Sequence, residues 1–358
     1  GNPSAYKSPF AAWQISHGKK CSYPHGLAKV GNFNIPCFLR GLFLQYKRSH
    51  AQSWKAFERD KCVKVGATTV KVHVSDFAQT LRNIYKVFIV LYKEGVFPMT
   101  DKTVLVTPYD RPSDDYYSDA PTANIMSYTP ENDVLWVVPY VVGDTSDPSL
   151  WSRPEFGPAL EQIVRMFKLA DYTDPQHFCL IGDGAGADAV VKFAPAILHH
   201  FAGVALTQCR RFTRTELRPF VNIPLFYNPH EELRMDVARL NEWVDWIDFR
   251  EEAQRITNVP NKLVHVRSST STSTSTSFAF LNSQKVQNFL YAHPRNACPA
   301  RVIWSQPAGP KQGHFHWLAL LETDVEEAIE VVAQRESDTL IRVDCKSPKV
   351  QQLGLRLH

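Results

Sequence analysis

The stretch Phe178-Cys179-Leu180-Ile181-Gly182-Asp183-Gly184-Ala185-Gly186-Ala187 runs from an apolar strand through a glycine-rich turn into a helix. That is the layout of a Gly-x-Ser-x-Gly turn, in which a strained loop lifts a serine hydroxyl clear of a sheet for acyl transfer. Such a turn needs small flanking residues because its helix lies close against its strand, and Gly182 and Gly186 fill those places. Gly184 stands where the nucleophile belongs, and glycine has no side chain to react. Shifting the register by one puts Asp183 at the tip, but also puts Ile181 where a small residue is required. In the unshifted register Asp183 reads as a solvated or helix-capping carboxylate.

In order and spacing the sequence resembles the α/β-hydrolase superfamily, in particular its esterase, polyhydroxybutyrate depolymerase and prolyl-oligopeptidase branches. Tyr172-Thr173-Asp174-Pro175 resembles the Tyr-x-x-Asp-Pro approach to the turn, one residue shorter, and Phe201-Ala202-Gly203-Val204-Ala205 the strand that follows the turn's helix. His293-Pro294-Arg295 and His316-Trp317-Leu318 resemble segments after the catalytic core of some bacterial members. The resemblance covers roughly residues 100–358 and leaves 1–95 unexplained.

Such a hydrolase needs a nucleophile, a base, a group to orient the base, and oxyanion donors. By the resemblance, the base is a histidine on the loop after the last core strand, here Ser268–Ser277, an unbroken Ser/Thr tract with no histidine. His265 falls within an apparent strand, as a packed histidine would, and His293, His314 and His316 come later. His314 and His316 form an i, i+2 pair, too little for a metal centre without a third ligand. The acid aligns with Glu232 in Asn228-Pro229-His230-Glu231-Glu232, but without a base it has nothing to orient. At the oxyanion loop, Pro108-Tyr109-Asp110-Arg111-Pro112 loses two backbone donors to proline and brings in a repulsive carboxylate. The resemblance therefore implies a catalytically degenerate chain, with no cofactor and no metal expected.

The elements that must position these residues follow from hydrophobic period. Cys37–Asp60 carries a helical stripe, Lys64–Val74 alternates like a strand or hairpin, and Ser75-Asp76 caps a helix expected over Phe77–Glu94. Apolar runs at Thr103–Thr107, Val134–Tyr140, His177–Ile181, Ala202–Leu206, Ile223–Tyr227 and Leu263–Val266 are spaced by helical patterns. Strands buried on both faces and separated by helices predict an α/β-hydrolase-like, mostly parallel sheet flanked by helices. The Ser/Thr tract predicts a flexible loop, and short strands after Pro299 predict a small C-terminal β appendage. Three regions result: 1–95, a basic aromatic arm with helices; 96–298, the α/β core; and 299–358, the appendage.

Composition bounds the rest. Seven dispersed cysteines, an odd number with no Cys-x-x-Cys pair, argue against a zinc site or disulfide framework and fit reduced thiols in a reducing compartment. No run approaches the roughly 20 apolar residues of a membrane span. The net charge of +4 hides an asymmetry, because residues 1–64 hold eleven Lys/Arg against two acids. Lys19, Lys20, Arg40, Lys47, Arg48 and Lys55, interleaved with aromatics, make this arm the candidate contact for an acidic protein or RNA. Three functions stay open: a non-catalytic binding or scaffold subunit of a larger assembly, an esterase or peptidase using Asp183, and a ligand-binding pseudoenzyme.

Overall fold

The computed structural model describes residues 44–74, 84–92, 95–97, 133–142, 149–229, 237–257, 259, 262–263, 284–296, 299–306, 313–320, 326–337, 340–346, 350 and 353–355. The chain divides into two compact units, residues 1–61 and 62–358.

The described part of the first unit is helical over residues 44–49 and again over α1 (Ala51–Asp60), within the stripe expected from the sequence. Lys61 ends α1 in the left-handed region, φ 45°, and its N–H donates to the Phe57 carbonyl. Lys47 is half-buried, whereas Arg48 and Lys55 are exposed. Lys19, Lys20 and Arg40 lie outside the described residues.

The second unit is built on one sheet of nine strands: β1 (Cys62–Val65), β2 (Thr68–Val74), β3 (Tyr85–Tyr92), β4 (Val96–Phe97), β5 (Val134–Val142), β6 (Thr173–Asp183), β7 (Gly203–Cys209), β8 (Leu225–Pro229) and β9 (Lys262–Leu263). Their order is β1-β2-β5-β3-β6-β7-β8-β9, with β4 beside β5. β1 and β2 form a hairpin, β2 runs antiparallel to β5, and every later pairing is parallel. Parallel neighbours cannot be joined by a tight turn, so the chain crosses over through α2 (Phe156–Leu169), α3 (Ala185–Phe193) and α4 (Val237–Thr257). This is the mostly parallel sheet flanked by helices that the resemblance implies, with β6 near the middle and its turn feeding α3.

β3 corrects the expectation of a helix over Phe77–Glu94. In Tyr85-Lys86-Val87-Phe88-Ile89-Val90-Leu91-Tyr92 only Lys86 escapes full burial, because the strand sits between β5 and β6 with both faces covered. The continuous apolar run of six residues, Val87–Tyr92, has no period to separate strand from helix, and its branched and aromatic content favours the strand. The sheet thus takes in Cys62–Val65, Thr68–Val74 and Tyr85–Tyr92, which the sequence places with the N-terminal arm.

One face of β3, β5 and β6 presents Phe88, Val90, Tyr92, Trp136, Val138, Cys179 and Ile181, covered by Val286, Phe289 and Leu290 of α5 (Gln284–Tyr291). The alternate residues Val87, Ile89, Leu91, Val137 and Leu180 are equally buried. α2 buries Phe156, Leu160, Ile163, Val164 and Phe167, the stripe of a helix lying on a core.

After residue 300 come two three-stranded antiparallel sheets, β10 (Arg301–Gln306) with β13 (Ile329–Arg335) and β14 (Ile341–Cys345), and β11 (His314–Phe315) with β12 (Leu318–Leu320) and β15 (Leu353–Leu355). Trp304 and Phe315 stack across them at 6.0 Å. Asn222, buried just before β8, ties this region to the main sheet: its amide donates to the Ile303 carbonyl at 2.6 Å and accepts from the Ile303 N–H at 2.8 Å. Arg218 reinforces the joint by pairing with Glu252 of α4 and with Glu330 of β13. Asn222→Ala leaves both backbone groups of Ile303 without their partner, at about 1–3 kcal/mol each. Urea unfolding of Asn222→Ala is therefore expected to show a loss of about 2–4 kcal/mol, and a change under 1 kcal/mol would contradict this account of the joint.

Candidate functional site

β6 ends at Asp183, Gly184 turns, and α3 starts at Ala185. Gly184 has φ 59° and ψ −125°, a backbone state that costs a side-chain-bearing residue about 1–3 kcal/mol. Its N–H donates to the Thr207 carbonyl of β7 at 3.0 Å and its carbonyl accepts from the Ala187 N–H at 3.0 Å, so the turn is pinned on both sides.

The three glycines are not equivalent. A Cβ on Gly186 would fall 1.8 Å from the Leu91 carbonyl oxygen, and one on Gly182 would fall 2.6 Å from the Ala187 Cα. Both are excluded by backbone, because α3 rides directly on β3 and β6. A Cβ on Gly184 would meet no atom within 4 Å among the described residues. The tip is thus shaped like a raised nucleophile turn, with open space where the reactive side chain would project.

Asp183 is not the solvated carboxylate that one reading of the sequence expects. It is 2% exposed, and Oδ1 accepts a hydrogen bond from the buried Thr207 hydroxyl at 2.8 Å. The reason is register: Asp183 is the last residue of β6, flanked by Tyr92 and Thr207 on the neighbouring strands. A nucleophile must reach a substrate carbonyl, and a carboxylate folded into the sheet end points the wrong way for that work.

Beyond β7, Arg210 gathers the acids of the same rim. Its Nε donates to Asp188 of α3 at 2.6 Å and its Nη2 to Glu216 at 2.7 Å. Thr213 and Glu216 form a reciprocal cap on the short turn Arg214–Leu217. The Arg210 hydrogen bond pulls the Glu216 carboxyl down to about 2, against the opposing effect of burial. A carboxylate held that acidic is a poor proton acceptor near neutrality.

Glu232, the oxyanion segment Pro108–Pro112, His265 and the Ser/Thr tract Ser268–Ser277 lie outside the described residues. His293, His314 and His316 are described, at the other end of the sheet. The His293 Nδ1 is 2.6 Å from the Phe289 carbonyl oxygen, a bond within its own helix end. His314 and His316 stand 5.0 and 6.2 Å, ring centre to ring centre, from His199, which lies in the turn just before β7 begins. β6 separates that end from Gly184 by about 23 Å, the length of the seven steps Tyr85–Tyr92 of its partner β3. His199 is the third imidazole that the sequence did not offer to the His314–His316 pair. Even so, no group of three His, Cys, Asp or Glu among the described residues is arranged to hold a metal ion.

A cavity of about 100 Å³ opens near these histidines, lined by Phe201, Asn222, Ile256, His293 and His316 among others. It sits where β7 and β8 begin, away from the glycine turn. The buried Cys179 and Cys209 are free thiols, both pushed up by desolvation and so poor nucleophiles. No helix among the described residues is long and apolar enough to cross a membrane.

No protein-family model matches the sequence, and no curated protein matches it. Solved structures similar to the chain include a thermostable esterase, 12% identical with a TM-score of 0.44 over 65% of this chain and 62% of that one. Another is one of two fungal esterases from Rhizomucor miehei, 15% identical with a TM-score of 0.40 over 69% of this chain and 91% of that one. A third is Porphyromonas gingivalis dipeptidyl peptidase 4, 10% identical with a TM-score of 0.40 over 65% of this chain and 35% of that one. The chain thus spans about three fifths of the thermostable esterase and about a third of the peptidase.

The turn makes a ranked prediction. Gly184→Ala and Gly184→Ser pay only for backbone strain, about 1–3 kcal/mol. Gly186→Ala must displace backbone and is expected to lose more than about 3 kcal/mol, beyond ordinary overpacking. Chemical unfolding of the three variants checks the order. A Gly184→Ala loss equal to that of Gly186→Ala would mean that α3 does not approach β3 as described.

Proposed function

We propose that this chain is a non-catalytic α/β-hydrolase-like protein that serves as a binding or scaffold subunit, within a larger assembly. The observation that carries the reading is the tip of the turn: the backbone keeps the nucleophile geometry, and residue 184 offers no reactive atom. The rival nucleophile, Asp183, is buried and engaged by Thr207, and the acids along the rim are committed to Arg210. The open space above Gly184 supports a second reading, in which the site still receives a ligand without converting it.

A panel of chromogenic esters and aminoacyl amides separates these readings from catalysis. No turnover above buffer is expected for the unaltered chain, and none for Gly184→Ser, because a serine alone lacks its base. Turnover that disappears in Asp183→Ala would sink the non-catalytic reading.

We assign the contact role to the basic arm, where Lys19, Lys20, Arg40, Lys47, Arg48 and Lys55 could meet an acidic protein surface or RNA phosphates. Arg48 and Lys55 are exposed on their helices, which supports the assignment. Ion pairing of this kind weakens steeply with salt. Replacing all six by glutamine is expected to flatten the salt dependence of RNA binding and to weaken it at least tenfold at low salt. Binding that is equally strong and equally salt-sensitive in the six-fold variant would remove the arm from the interface.

A further inference from the structure

At the end of the sheet opposite the glycine turn, basic side chains converge from three separate stretches of chain. Lys168 lies in the last turn of α2, His199 and His200 precede β7, and Arg295 follows α5. The Lys168 ammonium is 3.1 Å from the His200 Nδ1. Arg295 donates its Nη1 to the His199 carbonyl at 3.1 Å and its backbone N–H to the Gln176 carbonyl of β6 at 2.7 Å. The His199 and His200 rings are 4.2 Å apart, and His314 and His316 stand behind His199.

The cluster holds no matching negative charge. Neither Lys168 nor Arg295 has a carboxylate within ion-pair distance among the described residues. Asp174, at the start of β6, is taken by His177 at 2.6 Å and by the Gln176 N–H at 2.9 Å. Glu161, two turns before Lys168 on α2, is taken by Arg165 at 2.5 Å. The Arg295 Nε and both ring nitrogens of His199 are buried without hydrogen-bond partners, and His199 is only 8% exposed. Leaving such donors unmatched costs about 1–3 kcal/mol each. Lys168, His200 and Arg295 are only half-buried, so the group remains open to solvent on one side.

We propose that Lys168, His200 and Arg295 form a binding site for a phosphate group, free or as a monoester. A guanidinium with an unmatched Nε, an ammonium and an imidazole present donors from several directions, which suits a tetrahedral dianion better than a planar carboxylate. The empty cluster already strains against its own charge. Burial, then Arg295, pushes Lys168 down to about 7. Burial, then Lys168, His199, Arg295 and Arg165, holds His200 well below its usual value. His199 is pushed down to about 2 by burial and then by His314, His316, Lys168 and Arg295. An arriving dianion reverses these effects, so binding takes up protons and tightens as pH falls. Between pH 9 and 7.5 a phosphate monoester stays dianionic (its second pKa is about 6), so any change in affinity there comes from the protein.

Calorimetric titration of the full chain with inorganic phosphate, glycerol phosphate and acetate, in buffers of different ionisation enthalpy, tests the site. Glycerol phosphate is expected to bind about tenfold more tightly at pH 7.5 than at pH 9, and inorganic phosphate severalfold more tightly at pH 8 than at pH 9, each with net proton uptake near pH 8. Glycerol phosphate binding as well as the free ion identifies a monoester site, and its failure to bind restricts the site to the free ion. Lys168→Met is expected to weaken binding at least tenfold and to abolish the proton uptake, and Arg295→Gln to weaken it similarly. Should Arg295→Gln not fold, Lys168→Met at its half-exposed position decides the matter alone. No phosphate binding at millimolar concentration, binding without proton uptake, equal affinity for acetate, or an unaffected Lys168→Met would each overturn the proposal. Gly184→Ala is expected to bind phosphate normally, so the result stands apart from any fate of the glycine turn.

Discussion

The fold turns on the contact between the first residues of α3 and the backbone of β3. Gly186 sits so close to the Leu91 carbonyl that even a methyl group would overlap it. Helices flanking a sheet usually stand off by the thickness of their side chains, and here the first turn is almost in main-chain contact. That closeness forces the chain to reverse within one residue at the end of β6, which only a positive φ at Gly184 allows. The reversal in turn lets the Gly184 N–H reach β7 and fix its register. A close-packed interior passes such a constraint outward, so the order β3-β6-β7 and the start of α3 are set together.

The same geometry explains why a nucleophile position can be empty without harm to the structure. Of the three glycines, 182 and 186 are demanded by packing, and 184 is demanded only by backbone conformation. A serine at 184 would carry strain of about 1–3 kcal/mol for the sake of a reactive hydroxyl. Glycine releases that strain and loses no contact, since a side chain there would touch nothing described. On the proposed non-catalytic reading, the turn is more stable with glycine at its tip, the usual direction of the exchange between stability and activity.

What could be read from the sequence follows the range of the interactions involved. The glycine spacing at 182, 184 and 186 reports a local demand and is visible as such. The apolar runs of β5, β6, β7 and β8 are bounded by turn residues and flanked by helical stripes, so their type and order are legible too. β3 was not, because Tyr85–Tyr92 is apolar on both faces and its strand state comes from β5 and β6, distant partners in the chain. Asp183 was misread for a related reason: the Thr207 hydroxyl that holds it inside lies 24 residues away. The approach of His199 to Lys168, Arg295 and His314 joins four stretches with no shared motif, and no spacing could have announced it.

The two ends of the sheet have divided their chemistry. At the end where β6 and β7 finish, Asp183 is folded inward and Asp188 and Glu216 are neutralised by Arg210, while the buried Asn228 Oδ1 of β8 has no hydrogen-bond partner among the described residues. At the end where β7 and β8 begin, Asn222 and Arg218 hold the C-terminal sheets, and the cations around Lys168 remain unmatched. The C-terminal sheets are therefore anchored away from Gly184 and do not cover the tip through these joints. Buried donors without partners persist in a folded chain only where other packing over-determines them. Here that packing is supplied by the Trp304–Phe315 stack and the edge-to-face contact of Phe315 with His199. Buried polar atoms without a hydrogen-bond partner among the described residues thus occur at both ends of the sheet, and the basic cluster of Lys168, His200 and Arg295 stands at the end opposite the glycine turn.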